Sequence, residues 1–296
     1  VNNKLKKDLV VSTSGGKSSM FMADFLIKNY SDEYNFYFVF ANTGREHEGT
    51  LDFLEKSDKH FNLNLIWLEA IINPKLGIGP KHKQVNFKTA NRDGKVFENF
   101  IAKEGIPNTS RQHCTDRLKT QVIRSWMREK GILKNAETAI GYRFDEQNRA
   151  DPNKATVKRY NLVYPICNWG HFDKQDVDSF WEYMPFTLDI PPHYGNCLTC
   201  FKKSDPKLYR NYHEHPEWFD WNIEMDKKYG KVKAGDNNRH VFFRKQRDTE
   251  MLIRSAKMFD HKTLIHMTKT IEDHNDGCSS SCDPFSQIDM FDDLED

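Results

Sequence analysis

The sequence predicts an α/β protein: a parallel twisted sheet with helices on both faces, joined to a smaller, mainly helical region that carries cysteines. Three observations point there. Short apolar runs alternate with amphipathic stretches through the first 190 residues. A Gly-Gly turn stands between the first apolar run and the first helical pattern. From Pro191 onward, paired cysteines and aromatic-rich helices take over. Strand, helix, strand, helix, strand implies parallel pairing, with the ligand at the carboxyl ends of the strands.

Leu9-Val10-Val11 is a short buried strand that runs into Ser12-Thr13-Ser14-Gly15-Gly16. Ser18 to Asn29 reads as a helix whose apolar faces come from Met20, Phe21, Ala23, Phe25 and Leu26. Phe36 to Phe40 is a second strand ending in Asn42-Thr43-Gly44, Thr50 to Phe61 a second helix, and Leu63 to Leu68 a third strand. Between Ile71 and Thr109, Gly77, Gly79, Pro80, Gly94 and Pro107 break the pattern, which predicts an excursion over the active site. Thr115 to Lys130 is helical, Thr138 to Tyr142 and Asn161 to Pro165 are strands, and Asp173 to Tyr183 is a helix. The expected divisions are a nucleotide-binding α/β domain over 1–190, a cysteine-containing helical region over 191–282, and a flexible acidic tail over 283–296.

With 38% hydrophobic and 13% aromatic residues among 296, the chain can bury a core, which excludes a globally disordered protein. No apolar run approaches the ~20 residues of a membrane span. Val1 to Lys7 is polar and basic with no secretory pattern behind it, so a cytoplasmic protein is expected. The net charge of +1 hides an asymmetry. Six acids and no Lys or Arg lie in Asp283 to Asp296, leaving 44 basic against 37 acidic residues elsewhere. Basic clusters at Lys81-His82-Lys83, Lys154 to Arg159, Lys202-Lys203 and Arg239 to Arg247 are compatible with a polyanionic substrate, although a solvated surface more often explains such clusters.

A strand feeding a Gly-Gly turn and then a helix is a device for holding phosphate. Glycine lets the backbone approach the anion, successive N–H groups converge on it, and the helix N-terminus adds its dipole. In Ser14-Gly15-Gly16-Lys17-Ser18-Ser19, Lys17 supplies a full charge and the serines supply hydroxyl donors. It is not a Walker loop, because the glycine that motif requires five residues before Gly16 is Val11.

Ser14 to Ser19 resembles the pyrophosphatase (PP) loop of the N-type ATP pyrophosphatases, with Ser18 where that family commonly has Asp. Ala41-Asn42-Thr43-Gly44-Arg45-Glu46 is similar to the second-strand signature of the phosphoadenosine phosphosulfate (PAPS) reductase-like subgroup of phage and bacteria. His113 to Lys119 is similar to its cysteine-to-lysine segment, Ile140 to Glu146 to its Gly-x-Arg-x-Asp-Glu turn, and Gly195 to Lys203 to its Gly-Asn-Cys-x-x-Cys element. The resemblance covers roughly residues 9 to 205 in order. It implies an adenine nucleotide alpha hydrolase-like fold in the cytoplasm of a bacterium or a phage-infected bacterium. It also implies attack by a substrate oxygen on the α-phosphorus of ATP, with Mg²⁺ and Lys17 stabilising the departing pyrophosphate. Ser14, Lys17, Lys119 and Arg143 become the candidate catalytic residues. Ser14 to Ser19, Asn42, Thr43, Gly44, Glu46, Gly141 and Arg143 become the nucleotide contacts. Asn42 has an alternative role in stabilising its own turn, and Arg143 and Lys119 in surface ion pairs. Asp145 and Glu146 either hold Mg²⁺ or brace Arg143.

Six cysteines stand at 114, 167, 197, 200, 278 and 282. Thiolates of Cys197-x2-Cys200 can grip one metal, and Cys278-x3-Cys282 can close the site across the fold. Iron–sulfur sulfonucleotide reductases take ligands from the position of Cys114 and from a later Cys-x-x-Cys, but have two adjacent cysteines where this chain has His113-Cys114. Three readings stay open: a [4Fe-4S] cluster, a structural Zn²⁺, and unliganded thiols of which one carries sulfur. Cys167, among apolar neighbours, reads as a buried small residue.

True reductases carry a C-terminal Glu-Cys-Gly-x-His segment, and Asp276 to Asp283 does not contain it. The retained Gly-Gly-Lys favours adenylation coupled to sulfur transfer onto a nucleic acid or nucleotide, with a sulfur donor such as a cysteine desulfurase. The alternatives are a PAPS or adenylyl sulfate reductase and a non-catalytic nucleic-acid-binding module. Gln287-Ile288-Asp289-Met290-Phe291 resembles the short peptide by which bacterial DNA enzymes dock on the sliding clamp, its other reading being a solvated acidic tail.

Overall fold

In the computed structural model, which describes residues 5–151, 153–230, 240–272 and Phe285, six strands form one sheet. They are β1 (Lys7–Thr13), β2 (Tyr34–Asn42), β3 (Ile66–Ile71), β4 (Lys81–Val85), β5 (Glu137–Ala139) and β6 (Leu162–Val163). Their spatial order is β4-β3-β2-β1-β5-β6, and only β4 runs antiparallel to its neighbour. The helices are α1 (Lys17–Tyr30), α2 (Glu48–Phe61), α3 (Lys95–Glu104), α4 (Gln121–Glu129), α5 (Ala155–Tyr160), α6 (Lys174–Glu182), α7 (Asp205–Glu214), α8 (Asp220–Tyr229), α9 (Thr249–Ala256) and α10 (His261–Glu272).

Alternation along each strand decides what lies on which face. Leu9 and Val11, Phe38 and Phe40, and Trp67 point to one side, where α1, α2 and α6 cover them. Val10, Val39, Ala41 and Leu68 point to the other, against α3, α4 and residues of α7 to α10. Both sides of the central strands are therefore buried, which is why β1 and β2 read as near-continuous apolar runs. Side chains such as Trp126 and Trp181 are almost wholly enclosed. Each large apolar side chain buried this way contributes about 1.5–3 kcal/mol.

Two segments differ from the sequence expectation. Residues 71–109 are not one irregular excursion but contain the edge strand β4 and the helix α3. One of the glycines that break the pattern, Gly94, caps the start of α3 at φ 82°, and Gly105 caps its end at φ 85°. The helix expected from Thr115 opens as a π-helical turn, Asp116–Thr120, before continuing as α4. One extra residue per turn rotates the side chains that follow, and such turns occur frequently at functional sites. In addition, β5 stops at Ala139, which frees Ile140 to Arg143 to turn inward. Cys278, Cys282 and Gln287–Phe291 lie outside the described residues.

Candidate active site at the carboxyl ends of the strands

Chain order departs from β1 toward β2 and β3 on one side and toward β5 and β6 on the other, so the topological switch lies between β1 and β5. In open α/β sheets the crevice at that point is where ligands bind. Ser14–Gly16 leaves β1 there, and Gly141–Arg143 leaves β5 beside it. Together they line a cleft enclosing about 280 Å³, whose other walls include Ser12, Glu46, Lys119, Arg149, Asp178 and Asn196.

Local geometry explains the residue types of the turn. Gly15 sits at φ +76°, and a Cβ there would lie 2.4 Å from Thr50 Cγ2. Only glycine fits. The Ser14 N–H donates to Ser19 Oγ at 3.3 Å, and Ser19 Oγ donates to the Gly16 carbonyl at 2.8 Å, so the turn is laced internally. Gly16 is the N-cap of α1 and gives it no side-chain cap, which leaves the first N–H groups of that helix for a ligand. Gly141 crosses close above: a Cβ on it would stand 3.1 Å from Ser19 Cα.

The cations around the cleft differ in freedom. Lys17 Nζ is 3.6 Å from Asp178, with both side chains more than one-third exposed, a pair that costs little to break. Arg143 is held more firmly. Its Nε and Nη2 donate to Asp145 at 2.9 and 2.8 Å, its Nη1 reaches Ser18 Oγ at 3.5 Å, and its own N–H donates to Glu146 at 3.2 Å. The guanidinium holds the Asp145 carboxyl below the usual carboxylate range. Glu146 also pairs with Arg149, whose guanidinium stacks 4.0 Å from the Tyr142 ring. Asp145 and Glu146 thus brace arginines.

Past β2, the Glu46 carboxylate accepts from the Thr43 N–H at 3.0 Å and the Arg45 N–H at 3.2 Å, and Lys119 Nζ approaches it at 3.9 Å. Asn42 is fully buried and turned away: its Nδ2 donates to Glu69 at 2.7 Å and to the Asn91 carbonyl at 2.9 Å, and its Oδ1 accepts from Gly44. It holds its own turn. Gly44, at φ +81°, packs on Asn91. Neither residue lines the cleft, whereas Glu46 does.

A second cavity opens beside the first. Cys114, Cys197 and Cys200 line it with Thr43, Arg45, Lys119, Phe97 and Trp221. The two cavities share Glu46, Lys119 and Cys197 as walls. Arg45 is buried with its guanidinium 4.5 Å over Trp221. Burial lowers its pKa, with Cys197 and Glu46 pulling the other way. The Cys197 turn is held by Lys203, whose Nζ donates to the carbonyls of Cys197 and Leu198 at 2.5 and 2.6 Å.

Thus Ser14, Gly16 to Ser19, Glu46, Lys119, Gly141 and Arg143 meet in one cleft, Gly15 supports it from behind, and Cys114, Cys197 and Cys200 meet in the neighbouring cavity. Cys167 lies apart, buried, its thiol pushed up by burial. Among the described residues no three His, Cys, Asp or Glu side chains are grouped to hold a metal ion. Of the five cysteines proposed to hold a metal, Cys114, Cys197 and Cys200 line one cavity, and Cys278 and Cys282 are outside the described residues. The sequence reading did not single out Ser12, Arg149, Asp178, Phe97 or Trp221. Their only signal was residue type, since the fold brings them in from separate elements.

Fold and site define a class: a doubly wound α/β protein with a glycine turn and a cleft at its topological switch point. The family model of the phosphoadenosine phosphosulfate reductase domain matches residues 8–184, and the chain belongs to that family. The uncharacterized nin region protein ORF290 of Escherichia phage lambda is 32% identical over 206 residues, covering 67% of each chain. An uncharacterized protein of Methanocaldococcus jannaschii is 24% identical over 231 residues, covering 74% of this chain and 47% of that one. Among solved structures, the U34-tRNA thiolase NcsA of Methanococcus maripaludis, with its [4Fe-4S] cluster, matches at a TM-score of 0.42 and 16% identity. That match covers 97% of this chain and 79% of the thiolase, a likeness that bears on no individual residue. No described helix is long and apolar enough to cross a membrane.

Proposed function

We propose that the protein binds ATP on the Ser14–Ser19 turn and transfers the adenylyl group to an oxygen of a nucleic acid or nucleotide, as the activating step of a sulfur transfer. One observation carries the reading. The cleft over the glycine turn and the cavity lined by three thiols share Glu46, Lys119 and Cys197. An activated carbon in the first cavity would therefore lie next to the thiol-lined one.

In the adenylation step the substrate oxygen forms a bond to the α-phosphorus while the bond to the bridging oxygen breaks. Pyrophosphate leaves with the electron pair. Backbone N–H groups at the start of α1 and the Lys17 ammonium stabilise the charge that builds on it. Arg143, aligned by Asp145, and Lys119 face the same cleft. The terminal sulfur of a persulfide, passed on by a donor such as a cysteine desulfurase, then attacks the activated carbon, and AMP departs with the former substrate oxygen. A second thiol of the adjoining cavity breaks the S–S bond, releasing the thiolated product and leaving a disulfide.

Incubation with α-labelled ATP and candidate acceptors should yield AMP and pyrophosphate. Lys17→Ala should lower that rate by about 10²-fold, the scale of losing one charge stabiliser. Absence of AMP with every acceptor would end this reading. A second reading, reduction of a sulfonucleotide, is favoured by the family match itself. It requires thioredoxin-dependent reduction of adenylyl sulfate or its 3′-phosphate with no ATP present.

A further inference from the structure

Asn196 joins parts of the site that are 182 residues apart in the chain. Its Nδ2 donates to the Ser14 carbonyl at 3.2 Å, within the glycine turn. Its own carbonyl accepts the His47 N–H at 2.7 Å. The next residue, Cys197, pairs with Glu46 as an antiparallel bridge, and the Leu198 N–H donates to the Arg45 carbonyl at 3.1 Å. The backbone of 196–198 is thus stitched to 45–47 on one side, while the Asn196 amide grips the glycine turn on the other.

That grip has a mechanical consequence. A trans peptide is planar, so the Ser14 carbonyl and the Gly15 N–H point in opposite directions and turn together. A ligand that draws the N–H groups of the turn toward itself reorients this plane, and the Asn196 amide must follow or let go. If it follows, it carries Cys197, which is covalently next and lines both cavities. An asparagine serving only its own turn would bond to its neighbours, not to a carbonyl in another element.

We propose that Asn196 is a positioning residue that couples occupancy of the Ser14–Ser19 turn to the placement of Cys197. The coupling makes the thiol cavity sense whether the nucleotide site is filled, and it rests on the reading of that turn as the phosphate site. A ligand shifts such an equilibrium only through its differential contact with the two arrangements, and one hydrogen bond of this kind supports about a fivefold effect.

Hydrogen–deuterium exchange with and without ATP tests it, on the wild-type chain, Asn196→Ala and the isosteric Asn196→Leu. In the wild type, ATP should slow exchange in peptides covering both 14–19 and 195–200. In both variants protection at 14–19 should persist, while the response at 195–200 should fall by about fivefold. An undiminished response at 195–200 in both variants, with ATP saturating, overturns the coupling and leaves the adenylation reading intact. If ATP protects neither segment in the wild type, the phosphate-site reading fails and the coupling goes with it.

Discussion

Gly15 and Gly141 confine the glycine turn from two sides, and they do so differently. Gly15 combines a left-handed backbone with a would-be Cβ contact of 2.4 Å to Thr50, so no side chain fits without moving α2. Gly15→Ala should cost about 1–2 kcal/mol for the conformation alone, more with the clash, and should abolish ATP binding. Gly141 has no positive φ, but a methyl there presses on the backbone of Ser19 at 3.1 Å, which cannot swing aside. Gly141→Ala should lower stability by about 1–3 kcal/mol and weaken ATP binding about tenfold, read by calorimetry. Wild-type affinity in both variants would mean that the turn does not hold the phosphates. At this scale the sequence was informative wherever chemistry is packed into adjacent residues, as in Ser14–Ser19, Ile140–Glu146 and Gly195–Cys200. It was silent about Trp221 beneath Arg45, because no local pattern marks a side chain whose partner lies 176 residues away. Asn42 shows the same limit: its residue type suits a ligand contact or a turn, and the buried Glu69 on β3 decides for the turn.

Helix α3 was hidden by its own caps. Val96, Phe97, Phe100 and Ile101 form a helical face, yet the run is only ten residues long and glycines bracket it. Strand β4 was hidden because Lys-His-Lys-Gln-Val has no apolar alternation to read. Its pairing is settled by distant partners: Lys83 on Glu69 at 3.1 Å and His82 on Ser125 at 3.0 Å. Once formed, α3 is tied to α8 by Glu98, whose carboxylate accepts from Lys228, from Lys95 at 2.8 Å and from Tyr229 at 2.9 Å. Those bonds, from Lys228 first, hold Glu98 at about 2 against its ordinary 4.5. A carboxyl depressed in the fold stabilises it fully above the unfolded value, and the contribution is lost as pH falls toward the folded one. Glu98→Gln should therefore be less stable than the wild type by about 1–2 kcal/mol near neutrality, allowing for the partly exposed lysines. The gap should shrink from about pH 4.5 downward and close near pH 2, as read by denaturant unfolding. A gap independent of pH would mean that shape, not charge, is what Glu98 supplies.

One apolar cluster runs from the β1–β3 face through α3 and α4 into α7, α8 and α9, so the cysteine-bearing segment is packed on the sheet rather than hung from it. Phe285 belongs to this cluster: it is 2% exposed, meets Tyr160 edge-on at 5.2 Å, and its N–H donates to Thr120 Oγ1 at the end of the π turn. Phe285→Ala should cost about 3–5 kcal/mol, whereas Met258→Ala, at an 83% exposed position, should stay within about 0.5 kcal/mol. Equal effects in chemical denaturation would show that Phe285 is not anchored. The limits of the sheet have a consequence of their own. An open row of backbone donors and acceptors is a template on which another polypeptide can polymerise. Among the described residues one flank ends in β6, two residues long and too brief to nucleate such growth, and the other in β4, where exposed Lys81 and Lys83 would confront the same charges on an incoming copy. The lysine-rich composition that concealed β4 from the sequence reading thus also makes that edge a poor template for pairing.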